Sequence, residues 1–298
     1  MSTPFSAATR LARDRLASHQ APFVWQEAAR RMAERLPLLR LQPQRVLDIG
    51  CAWGDGLGLL RAQYPQSELV GIEPSSRLAE QARRQHGSRG WLQRLRGAAT
   101  CEVLAAELDG SPALTDAAAQ LLWSNLALGW AGDAGALFGA WSRLLRPDGV
   151  LMFTAFGPDT LRELRDPEVA GLGFRVRDWT DMHDLGDLLL AQGFAEPVMD
   201  MEILRLHWAD ADAALRELAQ LGRAPDSRTY AGLRTPRNWQ RLREWLQARA
   251  AGSGHGQVEL SFEIVYGHAF KPPTSRAEQG VVRIGVEQIG GRRSPRAG

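Results

Sequence analysis

The chain has 298 residues, 44% hydrophobic and 23% charged, with two cysteines and a net charge of +2. Those values fit one large globular domain, or a core domain with an elaboration. They exclude a disulfide framework or a cysteine zinc cluster, and the charge is too small for nucleic-acid binding by bulk electrostatics.

Arg10, Arg13 and Arg15 near the start have no apolar stretch behind them, so no secretory signal is expected. No apolar run approaches the ~18 residues of a membrane span. With so few cysteines, a reducing, cytoplasmic location is the expectation. Residues 8 to 36 are rich in helix formers, with Leu11, Leu16, Trp25, Ala29, Met32 and Leu36 at near-helical spacing. Pro22 should divide this stretch into two helices. Arg45 to Ile49 is a short apolar run that breaks into Gly50, Gly54, Gly56 and Gly58, and Leu59 to Tyr64 predicts a helix. Glu68 to Glu73 predicts a second strand, after which Ser75 can cap a helix through Leu78, Ala79 and Ala82. Strand, helix, strand, helix implies a parallel sheet with right-handed crossovers.

Cys101 to Leu104 predicts a third strand and Gln120 to Asn125 a fourth. A helix over 134–145 follows, with Leu137, Trp141, Leu144 and Leu145 on one face. Arg146-Pro147-Asp148-Gly149 reads as a turn with Gly149 in the left-handed position, and Val150 to Phe156 as a buried strand. Beyond it, the pattern predicts a helix over 181–193 ending at Gly193. Two strands, Val198 to Trp208 and Val258 to Phe270, flank helices at about 211–221 and 236–249. The stretch from Gly290 to Arg296 is expected to be disordered. The chain divides into an N-terminal helical lid (1–44), a core (45–160), a segment that completes the core and adds an elaboration (161–290), and a disordered tail (291–298).

Three segments carry chemistry. In Leu47-Asp48-Ile49-Gly50-Cys51-Ala52-Trp53-Gly54 a strand ends, the chain turns tightly and a helix starts. Glycines there let backbone approach a ligand, and the helix N-terminus offers unpaired N–H groups. Glu73 ends the next strand about twenty residues on, where an acid can accept from ribose hydroxyls. A nicotinamide dinucleotide would place pyrophosphate on the turn. Asp48 disfavours that anion and suits the ammonium and sulfonium of S-adenosylmethionine, which is therefore the expected cofactor. Ser124 and Asn125 end the fourth strand, at the ligand-binding edge of such a sheet, and Trp130 can wall a pocket or fill core. After the fifth strand, Asp159 or Thr160 can cap a helix, and Arg162 can pair with a substrate carboxylate. The six histidines show no metal-ligand spacing, and no metal site is expected.

Several stretches together resemble one family, the malonyl-acyl-carrier-protein O-methyltransferases of biotin synthesis. They are Val46 to Cys51, Trp123 to Leu128, Leu145 to Gly149, Thr154 to Leu164, Asp181 to Asp187, Ala195 to Glu202 and Glu263 to Pro272. The resemblance spans roughly residues 20 to 290, and its C-terminal stretches are the more particular to the family. It implies a Rossmann-like class I methyltransferase: an α/β fold with a doubly wound, mostly parallel seven-stranded sheet, an N-terminal helical lid and a C-terminal elaboration. It further implies methyl transfer to the free carboxylate of a malonyl group on acyl carrier protein. The cofactor set is then Asp48, Gly50, Ala52, Gly54, Glu73, Asp109, Ser124 and Asn125, and the carboxylate clamp is drawn from Arg162, Arg175 and Arg177. Arg216, Arg223, Arg237, Arg241 and Arg243 are candidates for steering an acidic carrier. The chain departs from the family where Ala52 and Trp53 stand in place of a glycine-rich bend, and where Asp109 or Glu107 is the nearest acid after the third strand. The other readings of these residues are a methyltransferase acting on a different small molecule and a non-catalytic protein on the same fold.

Overall fold

The computed structural model describes residues 7–87, 99–221, 235–252 and 254–273. Two helices come first, α1 (Ala7–Leu16) and α2 (Phe23–Ala33), separated at Pro22, whose φ of −60° leads extended backbone into α2. There follow β1 (Arg45–Ile49), α3 (Asp55–Gln63), β2 (Glu68–Ile72), α4 (Ser76–His86), β3 (Cys101–Leu104) and β4 (Ala119–Ser124). Next come α5 (Ala134–Leu144), β5 (Leu145–Phe156), α6 (Pro167–Gly171), α7 (Met182–Ala191) and β6 (Ala195–Trp208). The described chain ends with α8 (Ala211–Gln220), α9 (Pro236–Gly252) and β7 (Val258–Phe270).

The strands form one sheet in the order β3-β2-β1-β4-β5-β7-β6. The first five are parallel, and β7 runs antiparallel to both of its neighbours. β1, β2 and β4 are buried on both faces, as helix-covered parallel strands must be, which is why they are continuous apolar runs rather than alternating ones. Phe138 and Trp141 of α5 pack edge-on, and Phe138 meets Phe153 of β5 at a 5.2 Å centroid separation. Side-chain caps start the helices: Ser75 Oγ accepts from Leu78 N, Asp133 from Ala136 N, Asp181 from His183 N and Asp210 from Ala213 N. Strand order reverses between β1 and β4, so the carboxyl ends of those strands flank the crevice where such sheets take ligands.

Two features differ from the sequence reading. Residues 145–156 form one irregular strand, and the left-handed residue of its bend is Asp148 (φ +61°), not Gly149. Gly149 is required for space instead, because a Cβ there would lie 2.7 Å from the carbonyl oxygen of Arg146. At the outer rim, β6 slips register between Ala195 and Val198, with Glu196 at φ +51° beside Pro197. Arg223 and the 291–298 tail lie outside the described residues. Among the described residues no helix is long and apolar enough to cross a membrane, and no group of three His, Cys, Asp or Glu is placed to hold a metal.

Candidate active site

β1 and β2 bring two acids to the same edge of the sheet. Glu73 has no solvent exposure; its Oε2 accepts from Ala52 N at 3.0 Å and its Oε1 from Ser75 N at 2.9 Å. The intervening bend is left-handed at Gly50 (φ +75°), Ala52 (φ +47°) and Gly54 (φ +94°). That folds the loop over, and Gly50 and Cys51 donate to the carbonyl of Ile72. Asp48 is buried, and its Oδ2 has no hydrogen-bond partner among the described residues. α3 presses on it at Gly56, where a Cβ would lie 2.5 Å from that oxygen and 2.9 Å from Trp123 Nε1. Burial, with the charges of Glu73 and Asp55 adding to it, pushes the Asp48 carboxyl well above the usual carboxylate range.

The N-terminal helices lie against this edge. Arg13 of α1 donates Nε to Glu73 Oε1 at 2.8 Å and Nη2 to Oε2 at 2.5 Å, and its guanidinium carbon stands 5.0 Å from the ring centroid of Trp130. Arg10 pairs with Glu107, and Asp14 accepts from Ser75 Oγ at 2.5 Å. Trp53 donates its indole N–H to the carbonyl of His19 at 2.9 Å and meets Trp25 edge-on, 5.8 Å away. Its ring is therefore packed against the N-terminal segment.

On the other side of α1 and Trp130 lies a chamber of about 490 Å³, lined by Ala12, Arg15 and Leu16 of that helix. Phe156, Trp179, Phe174, Phe262, Trp25 and Trp130 form much of its wall, with leucines from α8 and α9. Its cations are Arg15, Arg175 and Arg177. Arg177 donates to the carbonyl of Gly129 and lies 5.0 Å from the Trp179 ring centroid, which fixes its direction. Arg175 is exposed and makes no hydrogen bond or ion pair among the described residues.

The expected cofactor residues Asp48, Gly50, Ala52, Gly54 and Glu73 thus converge. Ser124 and Asn125 stand next to them with their polar atoms already engaged. Ser124 Oγ donates to the carbonyl of Ile49 at 3.0 Å; Asn125 donates to the carbonyl of Trp25 at 2.9 Å and accepts from Thr154 Oγ1 at 2.7 Å. These bonds brace the loop and α2. Asp109 accepts from Ser111 N and Oγ within its own turn, and Glu107 is the acid that meets α1. Arg162 is corrected as a clamp candidate. The chain reverses at Leu161 (φ +55°) so that Leu161 and Leu164 line the chamber, while Arg162 points outward to Asp159 and Glu163. Neither Asp159 nor Thr160 caps a helix: Thr160 Oγ1 donates to the carbonyl of Glu263, and Asp159 N donates to the Glu263 carboxylate. Arg13, Arg15 and Trp179 were not singled out from the sequence. The signal for Arg13 was Arg10 and Arg13 three apart on one helix face, but nothing local names Glu73, sixty residues away, as the partner.

Residues 19–196 match a methyltransferase domain family. The chain is 37% identical over 256 residues to the malonyl-[acyl-carrier protein] O-methyltransferase of Laribacter hongkongensis, covering 85% of this chain and 84% of that protein. It is 36% identical over 249 residues to the protein of the same name from Gallionella capsiferriformans, covering 83% of each. Among solved structures, the YcgJ protein of Bacillus subtilis superposes with a TM-score of 0.56 at 13% identity, over 82% of this chain and 99% of that one, a likeness of fold.

Proposed function

Because the chain belongs to the malonyl-[acyl-carrier protein] O-methyltransferase family, we propose that Arg177 and Arg175 hold the free carboxylate of the malonyl group while it is methylated. The protein is an S-adenosylmethionine-dependent methyltransferase, and the reaction belongs to early biotin synthesis.

The first-loop residues fit that cofactor. Glu73 already accepts two parallel N–H donors, and a ribose diol presents two O–H donors of the same kind. Asp48 offers a buried acceptor that lacks a donor, which an ammonium would supply. Bound there, the cofactor supplies an electrophilic methyl group on a sulfonium. The remaining demands fall on the chain. A malonyl carboxylate is ionised at neutral pH and is itself the nucleophile, so no general base is needed. What it needs is to lose its water and be held in line. An aromatic chamber excludes water, and stripping an anion of water is tolerable only beside a fixed cation. Arg177, tethered by Gly129 and stacked on Trp179, meets that requirement. The observation that carries the assignment is this pairing: guanidinium groups set in a mostly apolar wall that includes Trp130, whose ring faces Arg13, the partner of Glu73.

The carrier is proposed to dock at the rim formed by α8 and α9. Leu215, Leu218, Trp239 and Leu242 of these helices line the chamber, and Arg216, Arg237 and Arg241 are exposed beside them. Arg243 is committed to Asp212 at 2.5 Å. The test is transfer of tritiated methyl from S-adenosylmethionine to malonyl-acyl-carrier protein. The label should appear as a base-labile ester on the carrier, and a chain that labels nothing at high enzyme concentration refutes the substrate assignment.

A further inference from the structure

α1 lies on the cofactor cleft as a ligand would. Arg10, Arg13 and Asp14 share one face of the helix and reach Glu107, Glu73 and Ser75, groups that follow β3 and β2. Just past the helix, the carbonyl of Ala17 accepts from Gln81 of α4 at 2.7 Å. The contact at the centre is unusual: both side chains of the Arg13–Glu73 pair have 0% exposure, and Arg13 Nη1 has no acceptor among the described residues. Desolvating two ions costs about as much as their attraction returns, so such a pair is poorly explained as a stabilising device. Its geometry has another reading. The guanidinium occupies the two acceptor oxygens that Glu73 would turn to a vicinal diol.

We propose that Arg13 is a latch, which holds α1 across the cleft by standing in for the ribose hydroxyls, and that cofactor binding displaces it and lifts α1. The proposal rests on the reading that this cleft takes S-adenosylmethionine. Ala12, Arg15 and Leu16 of the same helix line the substrate chamber. Lifting α1 therefore opens that chamber too, and the cofactor enters before the acyl carrier.

Hydrogen exchange on the full-length chain tests this, with S-adenosylhomocysteine as the probe. Amides of residues 7–17 should exchange faster in its presence, and calorimetry should show Arg13→Ala binding it about tenfold more tightly. That factor follows if the latch is closed roughly nine-tenths of the time, since apparent affinity scales with the competent fraction. Arg13→Lys, which keeps the charge and loses the fork, should fall between. Wild-type binding with unchanged or slower exchange over 7–17 overturns the latch and leaves the cofactor assignment standing. No binding by wild type or either variant overturns both. Should Arg13→Ala fail to fold, the wild-type exchange result decides alone.

Discussion

Substituting Gly56 by alanine sets two effects against each other. Gly56 is the second residue of α3 and is buried. In an open helical position the change stabilises by about 0.5–1 kcal/mol through backbone entropy. Here the new Cβ would lie 2.5 Å from Asp48 Oδ2, 2.9 Å from Trp123 Nε1 and 3.2 Å from Asp48 Cγ. Both neighbours are buried side chains on central strands with no room to retreat. Overpacking of this kind costs about 1–3 kcal/mol. The net expectation is a loss of about 1–2 kcal/mol, which for a chain of this length lowers Tm by about 2–3 °C. Gly186 in α7 is the control: a Cβ there meets only Met199 Cγ at 3.7 Å, so Gly186→Ala should raise Tm slightly. Calorimetric scans with and without S-adenosylhomocysteine measure both quantities. The ligand-induced rise in Tm should shrink for Gly56→Ala, because the displaced group is Asp48. A Gly56→Ala chain as stable as wild type, with the full ligand-induced rise, would refute the packing argument and the role of Asp48 together.

Arg177→Ala should raise KM for malonyl-acyl-carrier protein by about 10–100-fold, the worth of one to two charge-assisted hydrogen bonds, with affinity for S-adenosylhomocysteine unchanged; a loss of that affinity instead would move Arg177 out of the substrate clamp. Asp48→Asn should stabilise the chain increasingly as pH rises from about 4 towards 7. The unfolded carboxyl releases its proton near its ordinary value of 3.8, while the buried one resists, so wild-type stability declines over that window; parallel Tm profiles for the two chains would contradict this. Thr154→Val removes the donor to Asn125 Oδ1 and an acceptor for Leu126 N inside the core, and should cost about 1–3 kcal/mol in urea unfolding; a neutral result would show that the loop after β4 repacks freely. Reversing charge at Arg216, Arg237 and Arg241 should lower kcat/KM for the carrier substrate at low ionic strength, with the difference closing as salt is added; salt-independent kinetics would place the docking rim elsewhere.

The fold was legible because its main signals are local. Val46 to Ile49 and Leu69 to Ile72 are buried on both faces, so their apolar runs read directly as parallel strands, and Pro22 divides the N-terminal helices as its missing N–H requires. The pair Asp48 and Glu73 was legible for the same reason, each being the acid at or next to the end of such a run. What the sequence misplaced depended on direction or on distant partners. Arg162 has a clamp's chemistry, but the left-handed turn at Leu161 aims its neighbours inward and Arg162 outward. Ser124 and Asn125 end β4 or follow it as read, and they also hydrogen-bond Ile49, Trp25 and Thr154, partners that spacing alone cannot supply. At Gly149 the residue type was informative and the reason differed: closeness of backbone, not a left-handed φ.

The outermost strand, β6, runs fourteen residues with β7 on one flank only, and such a long border invites a foreign strand to zip alongside it. Its own composition discourages that. Pro197 offers no donor, the Glu196 kink throws the first residues out of register, and Asp200, Glu202 and Arg205 would bring ionised groups into any intruding ladder. Arg31 of α2 and Arg35, just beyond that helix, then fasten Glu202 and Asp200. The sheet is thereby guarded against recruitment along its long outer border.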